Sequence, residues 1–344
     1  MISPLNWGIG HAARVVPIAK QLHKAGFEIF ICAYGAALDL LKSECDFATF
    51  VQDVPFEMQY SPYDKLNSFK ILIQLPKMLW QVYKEQQFLK KLVSNYGIDL
   101  IIADSRYGFY HKDVKTIFIT HQITIAVPFL GVLFNRINHH FIKKFNACWV
   151  PDFEENYRAL AGKLSRNTTL KNVRYIGPLS RGEAVLNDIN HPEKVLYLLS
   201  GVEPQRSKLE QLIIDYLAQK PHAAILVRGL ANSERTILSH NKLEVFNFCK
   251  AEQLQQLLSQ CKYVVCRSGY SSIMDLVKWQ KNAVLIPTPG QYEQQYLSTY
   301  LHHQHYFYTI KQQDFLAFNE QQMQGFEVPK VQQQQNFAEL INQL

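Results

Sequence analysis

The sequence predicts an α/β chain of two doubly wound parallel sheets facing each other across a cleft. Three observations carry this. Apolar strand-like runs alternate with helical patterns along the whole chain, the order that builds doubly wound sheets. The runs are near-continuous in Ile, Leu and Val, as expected of strands covered on both faces. The chain has 344 residues, too many for one ordinary core and suited to two domains of middling size.

The strand-like runs in the first half are 27–33, 98–103, 115–120, 147–151 and 173–177. Those in the second half are 194–200, 223–228, 243–248, 262–266, 283–287 and 306–310. The stretch 178–193 between the halves is polar, contains Pro and Gly, and leads directly into a new strand, so it reads as the interdomain break. Residues 1–178 are then the N-terminal domain and 194–330 the C-terminal domain. In 331–344, Phe337, Leu340, Ile341 and Leu344 fall at helical spacing and predict a closing helix. The first Gly-rich turn begins at Trp7 and leaves room for less than the usual five or so residues of a strand. Either the first strand is very short or the start is clipped.

Composition narrows the function classes. Hydrophobic residues make up 47% and charged residues 19%, a globular balance. The net charge of +7 and pI near 8.9 fit an anionic ligand or an anionic membrane surface. No basic-aromatic RNA motif accompanies the charge, so nucleic acid is not an expected partner. The six cysteines show no C-x-x-C spacing, which argues against a zinc site or redox pair and for buried thiols in a cytoplasmic protein. Neither a signal-peptide pattern nor a run of about 18 apolar residues is present.

Three turns carry the chemistry. The first, from Asn6 to Arg14, sets Gly8, Gly10 and His11 at a helix start, where free N–H groups and the helix dipole favour an anion. The second, Ser200-Gly201-Val202-Glu203-Pro204, closes the first strand of the second half; Arg228 ends the next strand and joins the candidate set. The third is the most specific. Arg267-Ser268-Gly269-Tyr270-Ser271-Ser272 runs from a strand into a helix carrying Asp275, and a further strand leads to Pro289, Gly290, Glu293, Gln294 and Gln295. Backbone N–H groups, hydroxyls and a dipole suit an oxyanion. A carboxylate and amides suit ribose and sugar hydroxyls.

Residues 264–296 resemble the donor-nucleotide region of glycosyltransferase family 28. The Gly10-His11 turn is similar to that family's first loop, and Gly177-Pro178-Leu179-Ser180-Arg181 to its interdomain Arg segment. The resemblance implies a GT-B fold of two Rossmann-like domains. It implies a glycosyltransferase that moves a hexose or N-acetylhexosamine from a nucleotide-diphosphate sugar, UDP by family default, to a glycan or lipid-linked acceptor. By resemblance, Arg267 to Ser272 hold the diphosphate, Asp275 the ribose, and Gln294 and Gln295 the donor sugar. Ser200, Gly201 and Arg181 approach the phosphates. The sequence departs from the pattern in having Asp275 where Glu is usual, a second loop reduced to one Gly, and Trp7 where a small residue is common.

Sugar transfer needs a base for the acceptor hydroxyl and stabilisation of the departing diphosphate. No D-x-D sequence occurs, so the expectation is a metal-independent enzyme with no cofactor, in which helix dipoles, Arg181 and Arg267 replace a cation; with that, the resemblance implies inversion at the anomeric carbon. His11 and Asp104 are the candidate catalytic residues. Either acts alone, or Asp104 orients His11, and Asp104 alternatively caps a helix or pairs with Arg106. His121 is a third candidate. Segments 69–93 and 127–144 mix apolar residues with lysines and are candidate surfaces for the inner face of the membrane. A hydrolase or epimerase acting on nucleotide sugars, or a non-catalytic nucleotide-sugar-binding subunit, remains open from sequence.

Overall fold

The computed structural model describes residues 1–6, 9–53, 67–125, 131–155, 158–166, 169–182, 193–201, 203–230, 237–240, 242–331 and 336–343. Gly8 and Trp7 of the first turn, part of segment 127–144 and most of the predicted break lie outside them. The chain divides into two compact units, Met1–Leu179 with Gln333–Leu344, and Ser180–Gln332.

The first unit runs β1 (Ile2–Pro4), α1 (Ile9–Lys24), β2 (Phe30–Ala33), α2 (Gly35–Glu44), β3 (Thr49–Gln52), α3 (Asn67–Tyr96), β4 (Leu100–Asp104), β5 (Lys115–Ile119), α4 (Gly131–Ile142), β6 (Ala147–Val150) and β7 (Val173–Tyr175). Its seven strands lie in the order β3-β2-β1-β4-β5-β6-β7, and every pairing is parallel. The second unit runs β8 (Lys194–Leu198), α5 (Gln205–Gln219), β9 (Ala224–Val227), β10 (Ile237–His240), β11 (Leu243–Phe246), α6 (Ala251–Ser259), β12 (Cys261–Cys266), α7 (Tyr270–Trp279), β13 (Ala283–Leu285), α8 (Tyr292–His303) and β14 (Tyr308–Thr309). Its order is β10-β11-β9-β8-β12-β13-β14, parallel except for the antiparallel edge pair β10–β11.

Every apolar run read as a strand is one. Of three further strands, β1 is the very short first strand that the sequence left open, and β3 and β10 escaped the reading. β1 is three residues long, and it survives because it pairs with both β2 and β4. β3 buries only Val51, so it lacks the apolar run of a central strand. β10 is an edge strand with one partner.

The helices bury their apolar stripes. α1 hides Ala12, Val15, Val16, Ile18, Ala19 and Leu22 against the sheet. α3 hides Leu89 and Leu92 and leaves Leu79, Trp80 and Tyr83 exposed. The closing helix α9 (Phe337–Asn342) returns to the first unit. There Phe337 stacks on Trp149 with centroids 5.6 Å apart, and its N–H donates to Gln21 on α1. All six cysteines are buried and none forms a disulfide.

A buried charge cluster ties α3 to the sheet. Arg106, just beyond β4, donates to Glu85 of α3 through Nε at 3.0 Å and Nη2 at 2.7 Å, to Asp53, and to Ser3 at 2.8 Å. Its guanidinium also lies 3.9 Å from the Phe109 ring centroid. Buried charges persist only when paired and hydrogen-bonded, and here one cation meets two carboxylates. Glu85 Oε2 also accepts from the Gly108 N–H at 3.1 Å. A Cβ at Gly108 would stand 2.4 Å from Glu85 Cβ and 2.7 Å from the Val82 carbonyl oxygen. Gly108→Ala is therefore expected to destabilise the protein by about 1–3 kcal/mol through overpacking. Chemical denaturation checks this, and an unchanged midpoint would show that α3 is not clamped here.

Candidate active site and donor site

In an open α/β sheet, ligands bind at the carboxyl ends of the strands where the strand order reverses. In the first unit that point lies between β1 and β4. The turn after β1 delivers His11 and Arg14 on the first turns of α1, and β4 ends on Asp104. Ser105 then takes a left-handed φ of 57°, an uncommon conformation for a residue with a Cβ.

Asp104 is fully buried (0% exposed). It accepts from Arg14 Nε at 2.5 Å and from Arg14 Nη2. His11 Nδ1 lies 3.1 Å from its Oδ1, and Ser105 Oγ donates to the same oxygen at 3.2 Å. Burial alone drives this carboxyl's pKa up, but the charges of Arg14 and His11 outweigh it and hold Asp104 well below the usual carboxylate range. His11 moves the other way from an exposed histidine: burial lowers its pKa, Asp104 opposes the shift and Arg14 adds to it. At neutral pH the pair is therefore a carboxylate beside a neutral imidazole. With Nδ1–H directed at Asp104, the assignment the carboxylate favours, Nε2 carries the basic lone pair. The side chain of His11 remains 19% exposed, so a substrate can reach the imidazole and not the carboxylate.

The sequence left Asp104's partner open between His11, a helix N-terminus and Arg106. The structure brings it to His11 and Arg14, while Arg106 turns away to Asp53 and Glu85. His121, just past β5, joins the same cluster, its Nδ1 3.3 Å from Arg14 Nη1. Arg14 is the residue that sequence reasoning passed over. Its signal was the three-residue spacing from His11, which puts both on one helix face.

In the second unit the order reverses between β8 and β12. The turns after these strands carry the other two motifs. Arg267, expected at the diphosphate, is 1% exposed and donates to the Gln205 carbonyl at 2.8 Å and to those of Ile286 and Pro287 at 3.4 Å. Burial lowers its pKa to about 10. Ser268 and Gln294 are braces too, Ser268 Oγ donating to the Gln294 carbonyl at 3.0 Å and Gln294 Oε1 accepting from the Thr288 N–H at 2.9 Å. These three side chains tie the β12 and β13 turns together. Arg228 likewise is engaged, with Glu210 at 2.7 Å and Asn247 at 3.1 Å.

The two helix N-termini at this edge differ. At α5, Glu203 accepts from the Ser207 N–H at 3.2 Å and pairs with Arg206 at 2.6 Å, so the helix already holds a carboxylate at its positive end. At α7, the N-cap is Gly269, which has no side chain to cap the helix. Gly269, Ser271 and Ser272 are half-buried there, and across the β13 turn Pro289, Gly290 and Gln295 are exposed with Glu293 half-buried. Ser200 is half-buried and Gly201 exposed, the latter at a φ of 104°. Among the described residues no cluster of three or more His, Cys, Asp or Glu is arranged to hold a metal ion.

Asp275, further along α7, accepts from Ser180 Oγ at 2.5 Å. Burial pushes its carboxyl up to about 6, against the charge of half-buried Arg181 and the Ser180 hydrogen bond. Ser180 is a second partner the sequence did not single out. Because the folded state binds this proton more tightly than the unfolded chain, near pKa 3.9, wild-type stability falls as pH rises from about 4 through about 6. Asp275→Asn keeps an oxygen to accept from Ser180 and removes the charge. It should raise Tm relative to wild type at pH 7.5 and leave it unchanged at pH 4; an equal effect at both pH values would show that Asp275 does not titrate this way.

Residues 206–339 match the glycosyltransferase family 28 C-terminal domain. A protein of Methanosarcina acetivorans described as an uncharacterized glycosyltransferase is 21% identical over 316 residues, covering 86% of this chain and 81% of its own. Among solved structures, MurG of Acinetobacter baumannii superposes with a TM-score of 0.60 at 13% identity, over 100% of this chain and 98% of its own. The spinosyn rhamnosyltransferase SpnG, complexed with thymidine diphosphate, does so with a TM-score of 0.62 at 11% identity, over 94% and 89%. The fold is that of the GT-B glycosyltransferases, and with the family 28 domain over 206–339 the chain is a glycosyltransferase.

Proposed function

We propose that the protein is a metal-independent, inverting glycosyltransferase that moves a hexose or N-acetylhexosamine from a nucleotide-diphosphate sugar to a hydroxyl of a glycan or lipid-linked acceptor. The observation that carries this reading is the neutral, partly exposed His11 held by the buried carboxylate of Asp104. His11 Nε2 takes the proton of the acceptor hydroxyl as the oxygen attacks the anomeric carbon. The new glycosidic bond forms as the bond from that carbon to the diphosphate breaks, on the opposite face. Asp104 orients the ring and stabilises the imidazolium. Buried and gripped by Arg14, it is the orienting partner and not the base.

The donor is assigned to the second unit. α7, whose N-cap Gly269 has no side chain to cap the helix, offers backbone N–H groups and a dipole to the diphosphate. Ser271 and Ser272 stand in its first turn, Asp275 reaches the ribose, and Glu293 with Gln295 reaches the sugar. α5 is the weaker choice, since Glu203 already occupies its end. Arg181 and the turn of Ser200 and Gly201 complete the set. A nucleoside diphosphate is the ligand class bound by SpnG, and UDP is the family 28 default.

A panel of UDP-, TDP- and GDP-sugars tests the donor first. The cognate one should stabilise the protein by about 2.7 kcal/mol at a hundredfold excess over Kd. His11→Ala should then lower kcat by about 10²–10⁴-fold with donor affinity unchanged. A variant that retains the full rate removes His11 as the base. Release of free sugar or of an epimer, with no acceptor modified, would replace transfer by hydrolysis or epimerisation.

A lipid-linked acceptor requires access to a membrane surface. No helix among the described residues is long and apolar enough to cross a bilayer. On α3, Trp80 is 57% exposed with Leu79 and Tyr83 beside it, and Lys84 Nζ lies 5.6 Å from the Trp80 ring. Aromatic rings with a neighbouring lysine suit an anionic interface. The protein is expected to co-sediment with anionic vesicles at low salt and to lose that binding in a Trp80→Ser, Tyr83→Ser variant. No co-sedimentation of the wild type would remove the inner face of the membrane from the proposal.

A further inference from the structure

We propose that Arg14 is a positioning residue of this site: its guanidinium fork fixes the buried Asp104 carboxylate and, through it, the ring of His11. The inference rests on the reading of His11 as the base and goes beyond it, because a histidine and a carboxylate do not by themselves fix the geometry seen here.

Arg14 lies three residues after His11 on α1, so both leave the same helix face. Its Nε meets Asp104 Oδ2 at 2.5 Å and its Nη2 meets Oδ1, a bidentate grip on a carboxylate with no exposure to water. Nη2 also lies 3.0 Å from His11 Nδ1 and 3.2 Å from Ser105 Oγ, and Nη1 lies 3.3 Å from His121 Nδ1. One buried cation therefore touches the His11 ring, Asp104 and Ser105 at the end of β4, and His121 beyond β5. A lysine could supply the charge there but not the planar fork.

Two consequences separate this role from simple scaffolding. The first is electrostatic. A fixed positive charge beside the His11–Asp104 pair makes the pair harder to protonate, wherever in the pair the proton sits. Removing that charge raises the pH at which the base is lost, so the acid limb of activity moves upward. The second is geometric. Keeping the charge but losing the fork leaves the protonation of the pair in place and frees the carboxylate to rotate, which weakens catalysis without moving the limb.

The test uses Arg14→Gln and Arg14→Lys in the full chain. Histidine NMR titration without substrate follows His11, and kcat/KM is measured against pH. Arg14→Gln should raise the His11 midpoint by about one pH unit or more and shift the acid limb by the same amount. Arg14→Lys should leave the midpoint within about half a unit, since the charge is kept, and lower kcat about tenfold, the loss given by roughly 1.4 kcal/mol of misorientation, with donor KM unchanged. An unmoved midpoint in folded Arg14→Gln overturns the proposal, as does a wild-type kcat in Arg14→Lys. Should Arg14→Gln fail to fold, Arg14→Lys alone decides by its kcat. If no donor sugar is transferred by the wild type and the midpoint still moves, the base assignment of His11 fails while the grip of Arg14 on the pair stands.

Discussion

The bond between Arg14 and Asp104 is the constraint on which the first unit's site depends. A carboxylate shut away from water must find charge or hydrogen-bond donors or else take up a proton. Asp104 meets that demand with two guanidinium bonds, one hydroxyl and the His11 ring. Once it is held as an anion, the imidazole beside it has a fixed orientation and a neutral resting state. Neither property belongs to His11 alone. An exposed histidine at a helix start rotates freely and titrates near neutral pH, whereas this one is held by a neighbour on α1 and another at the end of β4.

The chain reaches this arrangement by sending consecutive side chains to separate destinations. Ser105 in the left-handed region divides Asp104, which turns to Arg14, from Arg106, which turns to Asp53 and Glu85. Two buried charge clusters thus flank one short turn. The Arg106 cluster carries no reacting group; it fastens α3 across the sheet edge and seats Gly108 against Glu85. The Arg14 cluster leaves one ring partly open to solvent.

The second unit divides its labour in a comparable way. Arg267 through its two Nη atoms, Ser268 and Gln294 bond backbone atoms of neighbouring turns, which braces the start of α7. A helix start held this firmly presents its N–H groups in a constant direction, and an anion site built from backbone needs that more than it needs one more cation. Glu203 at α5 shows the alternative use of a helix start, with the protein's own carboxylate in place of a ligand.

The sequence by itself determined the fold class and the positions of the central strands. Strands buried on both faces must be apolar throughout, and that pattern is local. It also placed His11 at a helix start, Asp104 at a strand end and Asp275 on the helix after β12. Edge strands escaped because one exposed side removes the apolar run, as in β3. Only the tertiary structure decided partners. Arg14 and Asp104 stand 90 residues apart in the chain, Ser180 and Asp275 stand 95 apart, and Arg267 spans 62 residues to the Gln205 carbonyl. An arginine beside a glycine turn reads the same in sequence whether it faces phosphate or a neighbouring carbonyl. Which one it meets depends on the distant segments packed around it, and that packing alone set Arg267 against the Gln205 carbonyl and Arg14 against Asp104.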